Sequence, residues 1–243
     1  MEIMNKKDIK ALQLVSRFSL PPKSLGFCGK DSAAERLKEC VIFGKCENVE
    51  EELSHFITLY PYLKTISEII GLPAFSYPVV ESYWLGNEEL KKAKPEHFEL
   101  LLENFAKQGV PEGTIAEFRK NKPKVFIPHH FFQVLTVSTE VGHINDCMIR
   151  WGEVKKIEGG KIFVDIAVLE CQKGDYKLKN REEEFKFYPA FLLGLKAGDT
   201  VAVHWKQAVK ILTEEEENNL SFWTEKILRT KDYLRRKPPS TTI

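Results

Sequence analysis

No apolar run in this 243-residue chain approaches the ~20 residues that a membrane-spanning helix needs. Residues 1–10 are polar and charged, without the apolar centre of a signal peptide. Neither sign of charge dominates. The 36 Lys and Arg almost cancel the 35 Asp and Glu, and the balance is even in both halves, 18 against 18 over residues 1–128 and 18 against 17 over 129–243. A basic face for nucleic acid is therefore not expected. Cysteine is sparse: Cys28, Cys40, Cys46, Cys147 and Cys171 are odd in number and contain no C-x-x-C pair. The expectation is a cytoplasmic protein with no membrane partner, whose cysteines are free thiols and mostly small buried hydrophobes. Phosphate-binding glycine loops, zinc-protease helices, serine elbows and zinc knuckles are missing as well, so an enzyme of a familiar class is disfavoured.

What the chain does contain divides near Lys122. Residues 1–128 read as helical. Asn48 can cap a helix carrying Leu53, Phe56, Ile57 and Tyr60 at helical spacing. Pro61 opens a second helix that stops at Gly71, and Pro78 opens a third that stops at Gly86 and Asn87. Pro95 to Gln108 carries Phe98, Leu101, Leu102 and Phe105 on one face, and a short helix follows from Pro111 to Arg119. The period then changes. Lys124 to Val137 is rich in β-branched and aromatic residues and reads as a strand. Cys147–Ile157 and Lys161–Leu169 read as two strands around a Gly159-Gly160 turn, and Lys196–Thr200 is a turn before Val201–Trp205. Thr213, with Glu216 three residues on, starts a final helix bearing Leu220, Trp223, Ile227 and Leu228. The expected fold class is α+β: an α-helical domain over residues 1–125, then a small β-barrel with a C-terminal helix over 126–243.

Two blocks carry a resemblance. Cys147-Met-Ile-Arg-Trp-Gly152-Glu-Val is similar to the opening of the HypC-type chaperones of NiFe-hydrogenase assembly. Gly198-Asp-Thr-Val-Ala-Val-His204-Trp-Lys-Gln-Ala208, with the acidic helix start after Leu212, is similar to their second block. The resemblance covers roughly residues 147–234. It implies an OB-like barrel and, residue by residue, Cys147 and His204 as ligands of a transiently held iron centre. It further implies protein partners, either the hydrogenase large subunit or other maturation proteins. A soft thiolate and an imidazole suit low-spin Fe(II). In the chaperones the cysteine is the N-terminal residue, whereas Cys147 is internal. The whole chain also resembles a family of uncharacterised prokaryotic proteins through Pro22–Gly29, Val79–Asn87 and Pro128-His129-His130, a likeness that implies no activity.

The expected function is an accessory or chaperone protein of hydrogenase maturation, acting by protein contact with transient iron binding. Two alternatives stand beside it. One is a metal-free interaction module, which a buried structural Cys147 would favour. The other is a small-molecule-binding protein with an interdomain pocket lined by Glu81, Tyr83, His129 and His130. Neighbours in a strand face opposite ways, so His129 and His130 are not expected to share an ion. His143 lies in an expected loop near Cys147, and Cys28 in a glycine-flanked loop after Pro21-Pro22.

Overall fold

Proline and glycine punctuate the helical half. The computed structural model describes residues 6–26, 33–137, 141–172 and 175–230. The first helices are α1 (Lys6–Ser24), α2 (Ala33–Phe43), α3 (Val49–Ser54), α4 (Leu59–Ile70) and α5 (Tyr77–Trp84); α6 (His97–Lys107) and α7 (Glu112–Lys120) follow a 3₁₀ turn at Glu88–Lys92. Pro61 lies in the first turn of α4, which Gly71 ends at φ 73°. Pro78 occupies the first turn of α5. The face of α6 bearing Phe98, Leu101, Leu102 and Phe105 is buried as its spacing demands. Asn48 precedes α3 but does not cap it: it is left-handed at φ 63° and its side chain makes no capping bond. Pro21 and Pro22 belong to the end of α1, not to a loop, and Cys28 lies outside the described residues.

The expectation of free thiols fails at one pair. Cys40 and Cys46 form a disulfide across six residues, because α2 ends at Phe43 and the chain turns back at Gly44 (φ 69°), bringing the two Cα atoms to 4.4 Å. Cys147 and Cys171 carry thiols.

The expected strand from Lys124 to Val137 is a second correction: its latter part is a helix, α8 (His130–Val137). A short apolar run is ambiguous between buried strand and buried helix. Here His129 decides the local structure, since its Nδ1 accepts the Phe131 N–H at 3.1 Å and caps the first turn. Cys147 likewise closes a helix, α9 (Val141–Cys147), and does not open a strand; His143 is in that helix too.

Among the described residues five strands follow: β1 (Arg150–Glu158), β2 (Lys161–Gln172), β3 (Asp175–Phe187), β4 (Thr200–His204) and β5 (Gln207–Ile211). They pair in the order β1-β2-β3-β5-β4, and β4 pairs back onto β1. All contacts are antiparallel except β3 with β5, which is parallel and confined to Lys186–Gln207 and Phe187–Ala208. The sequence reading overlooked β3, whose Lys177-Leu-Lys-Asn-Arg-Glu-Glu-Glu184 stretch is nearly all charged. It pairs with β2 from Asp175 to Lys186 and leaves those charges largely in water. At Gly152 a Cβ would stand 2.1 Å from the Asp165 carbonyl oxygen, so only glycine lets β1 lie this close to β2.

α10 (Glu214–Arg229) begins with the anticipated capping box: Glu216 N–H donates to Thr213 Oγ1 at 3.2 Å, and Thr213 N–H to Glu216 Oε2 at 3.0 Å. Buried apolar residues form one continuous cluster from Ala11 on α1 to Ile227 on α10. Arg17 on α1 fastens the helices to the sheet region, donating to the carbonyls of Phe191 (2.6 Å) and Val209 (3.3 Å). Among the described residues no helix is long and apolar enough to cross a membrane.

α10 meets the helical half at Gly86, just after α5. This glycine has φ 82°, and a Cβ there would lie 2.3 Å from Trp223 Cδ1. Gly86→Ala combines a left-handed backbone with overpacking, each alone costing about 1–3 kcal/mol. A loss of at least the lower figure is expected in urea unfolding, with the slope of the transition unchanged.

Candidate metal centre

Three separate elements converge on one point. The Cys147 sulfur and one ring nitrogen each of His130 and His204 all lie within 4.8 Å of one another. Both imidazoles are buried, at 4% and 1% exposure, while Cys147 is half-buried. The structure thus brings together the two residues singled out in the sequence and adds a third.

Local structure explains each placement. His130 opens α8, and His129, turned the other way to cap that helix, stays out of the group. Cys147 ends α9, which Asn145 clips to β2 by a reciprocal pair of bonds: its Nδ2 donates to the Leu169 carbonyl and its Oδ1 accepts the Leu169 N–H, both at 2.8 Å. His204 ends β4. The turn after it, Trp205-Lys206, is left-handed at both residues (φ 47° and 60°), which bulky side chains adopt only when held. The hold comes from α9: Trp205 N–H donates to the Asp146 carbonyl at 2.8 Å, and the exposed His143 ring packs edge-on against Trp205. His143 therefore braces the turn and is not in the group.

The hydrogen bonds of each ring govern where it keeps its proton. His204 Nδ1 donates to the Phe18 carbonyl on α1 at 2.6 Å. Its Nε2 is buried and meets no partner in good hydrogen-bond geometry, although the Cys147 main chain is near enough to oppose the loss of the ring's charge. Tyr83 on α5 donates its hydroxyl proton to Gln133 Oε1, so it meets His130 Nδ1, 3.0 Å away, as an acceptor. His130 Nε2 lies 2.8 Å from the Cys147 carbonyl oxygen, which can only accept, so the one proton of the neutral ring has an acceptor on either side. Trp84 covers the group, its ring 4.5 Å from that of His130 and 5.6 Å from that of His204.

Burial also sets the charge state. It holds His130 down to about 4, against the pull of the Cys147 carbonyl. It takes His129 to about 3, with His130 adding to the fall and the Leu85 carbonyl opposing it. His204 is driven well below the ordinary imidazole range, first by burial and then by His130. Neutral imidazoles and a thiol are the donors that a borderline or soft transition ion needs. Phe18 and Tyr83 are outer partners of the sort that orient metal-binding histidines. The residues present fit a bound ion.

The sequence missed His130 because a strand would have pointed it away from its neighbour's face. Pro128 was the available signal: proline precedes or opens four other helices in this chain, at Pro61, Pro78, Pro95 and Pro111. Tyr83, His129 and His130, the residues of the small-molecule alternative, are buried, at most 4% exposed. An open depression of about 450 Å³ lies elsewhere, against Leu12, Asn48, Tyr60 and Phe75.

Residues 7–237 match the model of a family described as a family of unknown function, DUF6390. No curated protein and no solved structure matches the chain.

The depressed histidines make acid stability predictable. The unfolded chain takes up protons near pH 6.5, the folded chain only nearer 4, so the unfolded state binds more protons between these values. The stability held above pH 6.5 is expected to drain away as pH falls toward 4, measured by urea unfolding at stepped pH. Nitrogen-15 NMR is expected to find His204 as the Nδ1–H tautomer and His129 as Nε2–H, both unchanged from pH 7.5 to 5.5.

Proposed function

The chain therefore belongs to that family, and we propose that it is a metal-handling accessory protein in which His130, Cys147 and His204 hold a transition ion. The observation that carries this reading is the meeting of one thiol with two buried imidazoles within 4.8 Å. Cys147 gives up its proton to become a ligand, so binding releases a proton to solvent. The Phe18 carbonyl and the Tyr83 hydroxyl keep the two rings in the orientation that binding requires.

The likeness of Cys147–Val154 and Gly198–Glu216 to HypC-type chaperones supplies the setting: the ion is iron, held as cargo during NiFe-hydrogenase maturation. The large subunit or other maturation proteins would be the partners. The ring-like strand order, with its single parallel contact between β3 and β5, supports reading the sheet as an OB-like barrel. A mid-chain cysteine cannot enter a partner as a free chain end can. Hand-over would instead proceed by ligand exchange at the thiol, the most exposed of the three donors.

Anaerobic titration with Fe(II), and with Co(II) as a spectroscopic substitute, tests the site. Wild-type protein is expected to bind one ion per chain with a thiolate-to-metal absorption band. Cys147→Ser and His204→Ala should each lose more than the ~10–100-fold that outer-partner changes cost, and Cys147→Ser should keep the fold. The absence of a thiolate band in wild type would remove the metal reading. Deleting the gene in its native host tests the setting separately: full hydrogenase activity after deletion would remove the maturation role and leave metal binding untouched.

A further inference from the structure

We propose that Tyr83, backed by Gln133, is a positioning residue that selects the metal-binding tautomer of His130; the proposal rests on the metal reading of the His130–Cys147–His204 group. A neutral imidazole has one proton and, at His130, two acceptors competing for it. One is the Tyr83 oxygen, 3.0 Å from Nδ1, and the other is the Cys147 carbonyl, 2.8 Å from Nε2. With the proton on Nδ1, Nε2 is available to an ion. With the proton on Nε2, it is consumed by the carbonyl and the site has lost a ligand.

Tyr83 decides between the two only because its own proton is committed elsewhere. It donates to Gln133 Oε1, one turn along α8 from His130, and so has only a lone pair to offer the ring. If Gln133 withdrew, the hydroxyl would turn its proton toward Nδ1 and force the ring proton onto Nε2. The pieces are rigid. Tyr83 is 1% exposed, and Trp84 packs against both rings, its centroid 4.5 Å from that of His130 and 4.8 Å from that of Tyr83. His204 has no comparable choice, because the partner of its Nδ1 is a main-chain carbonyl that can only accept. The adjustable half of the site is therefore the Tyr83–Gln133 pair, on the helical side of the molecule.

The test uses the full-length chain and Co(II) alone as probe, with apparent affinity and the d–d and thiolate bands as readouts. Tyr83→Phe is expected to weaken binding by roughly 10–100-fold, as outer-partner changes do, and to alter the d–d bands. Gln133→Leu should do the same although Tyr83 is intact, a result that loss of packing at Tyr83 cannot produce. Gln133→Glu, which still accepts the tyrosine proton, should bind as wild type. If Tyr83→Phe fails to fold, as judged by circular dichroism, the Gln133 pair decides alone. Equal affinity and identical spectra in wild type and Gln133→Leu would overturn the proposal while leaving the metal site standing. No cobalt band in wild type would overturn both.

Discussion

The bond from His204 to the Phe18 carbonyl joins residues 186 positions apart and fixes the geometry around it. It fastens the end of β4 to the middle of α1. Because a carbonyl can only accept, it also settles where the ring keeps its proton. Everything else at the centre is arranged about that fixed ring: Trp84 lies over it, the Cys147 helix is pinned to the turn that follows it, and His130 reaches in from α8. Arg17, one residue before Phe18, repeats the theme by donating to two carbonyls of the sheet region. The helical half and the sheet are held by hydrogen bonds to main chain, which cannot drift by side-chain substitution alone.

The cost of this arrangement is desolvation. Three histidines with almost no exposure must stay uncharged, and a fold built only for stability would fill such a volume with aliphatic side chains. Two of the histidines' ring nitrogens, His129 Nε2 and His204 Nε2, make no hydrogen bond, and only the second belongs to the group. A buried unsatisfied nitrogen beside a thiol and a second imidazole is intelligible if its partner is an ion. That inference runs from the local imbalance toward function, which is the direction in which strain and unmet polarity are informative.

Much of this was legible in the sequence where local chemistry governs. Pro61, Pro78, Gly71 and the Thr213–Glu216 box act within a few residues of themselves, and the helices they bound are where they should be. Cys147 and His204 were legible through a likeness of motif, and the fold brings them together across 57 intervening bonds of chain that no spacing rule could bridge. Legibility failed where tertiary contact overrides composition. The run before Val137 has strand-like residues, yet a histidine cap and burial on several sides make it a helix. β3 has loop-like charge, yet one full-length partner makes it a strand. The Cys40–Cys46 bond depends on a reversal at Gly44, which the cysteine spacing alone does not specify.

The seat of Trp223 against Gly86 bears on the order in which the molecule can be made. A chain leaves the ribosome from its N-terminus, and α5, with the aromatic residues that pack on His130 and His204, emerges long before α10. Until α10 arrives Gly86 lacks its contact with Trp223, and until β4 arrives His130 and Cys147 lack the second imidazole. The three side chains can thus meet only after β4 has been made, later than every helix from α1 to α9.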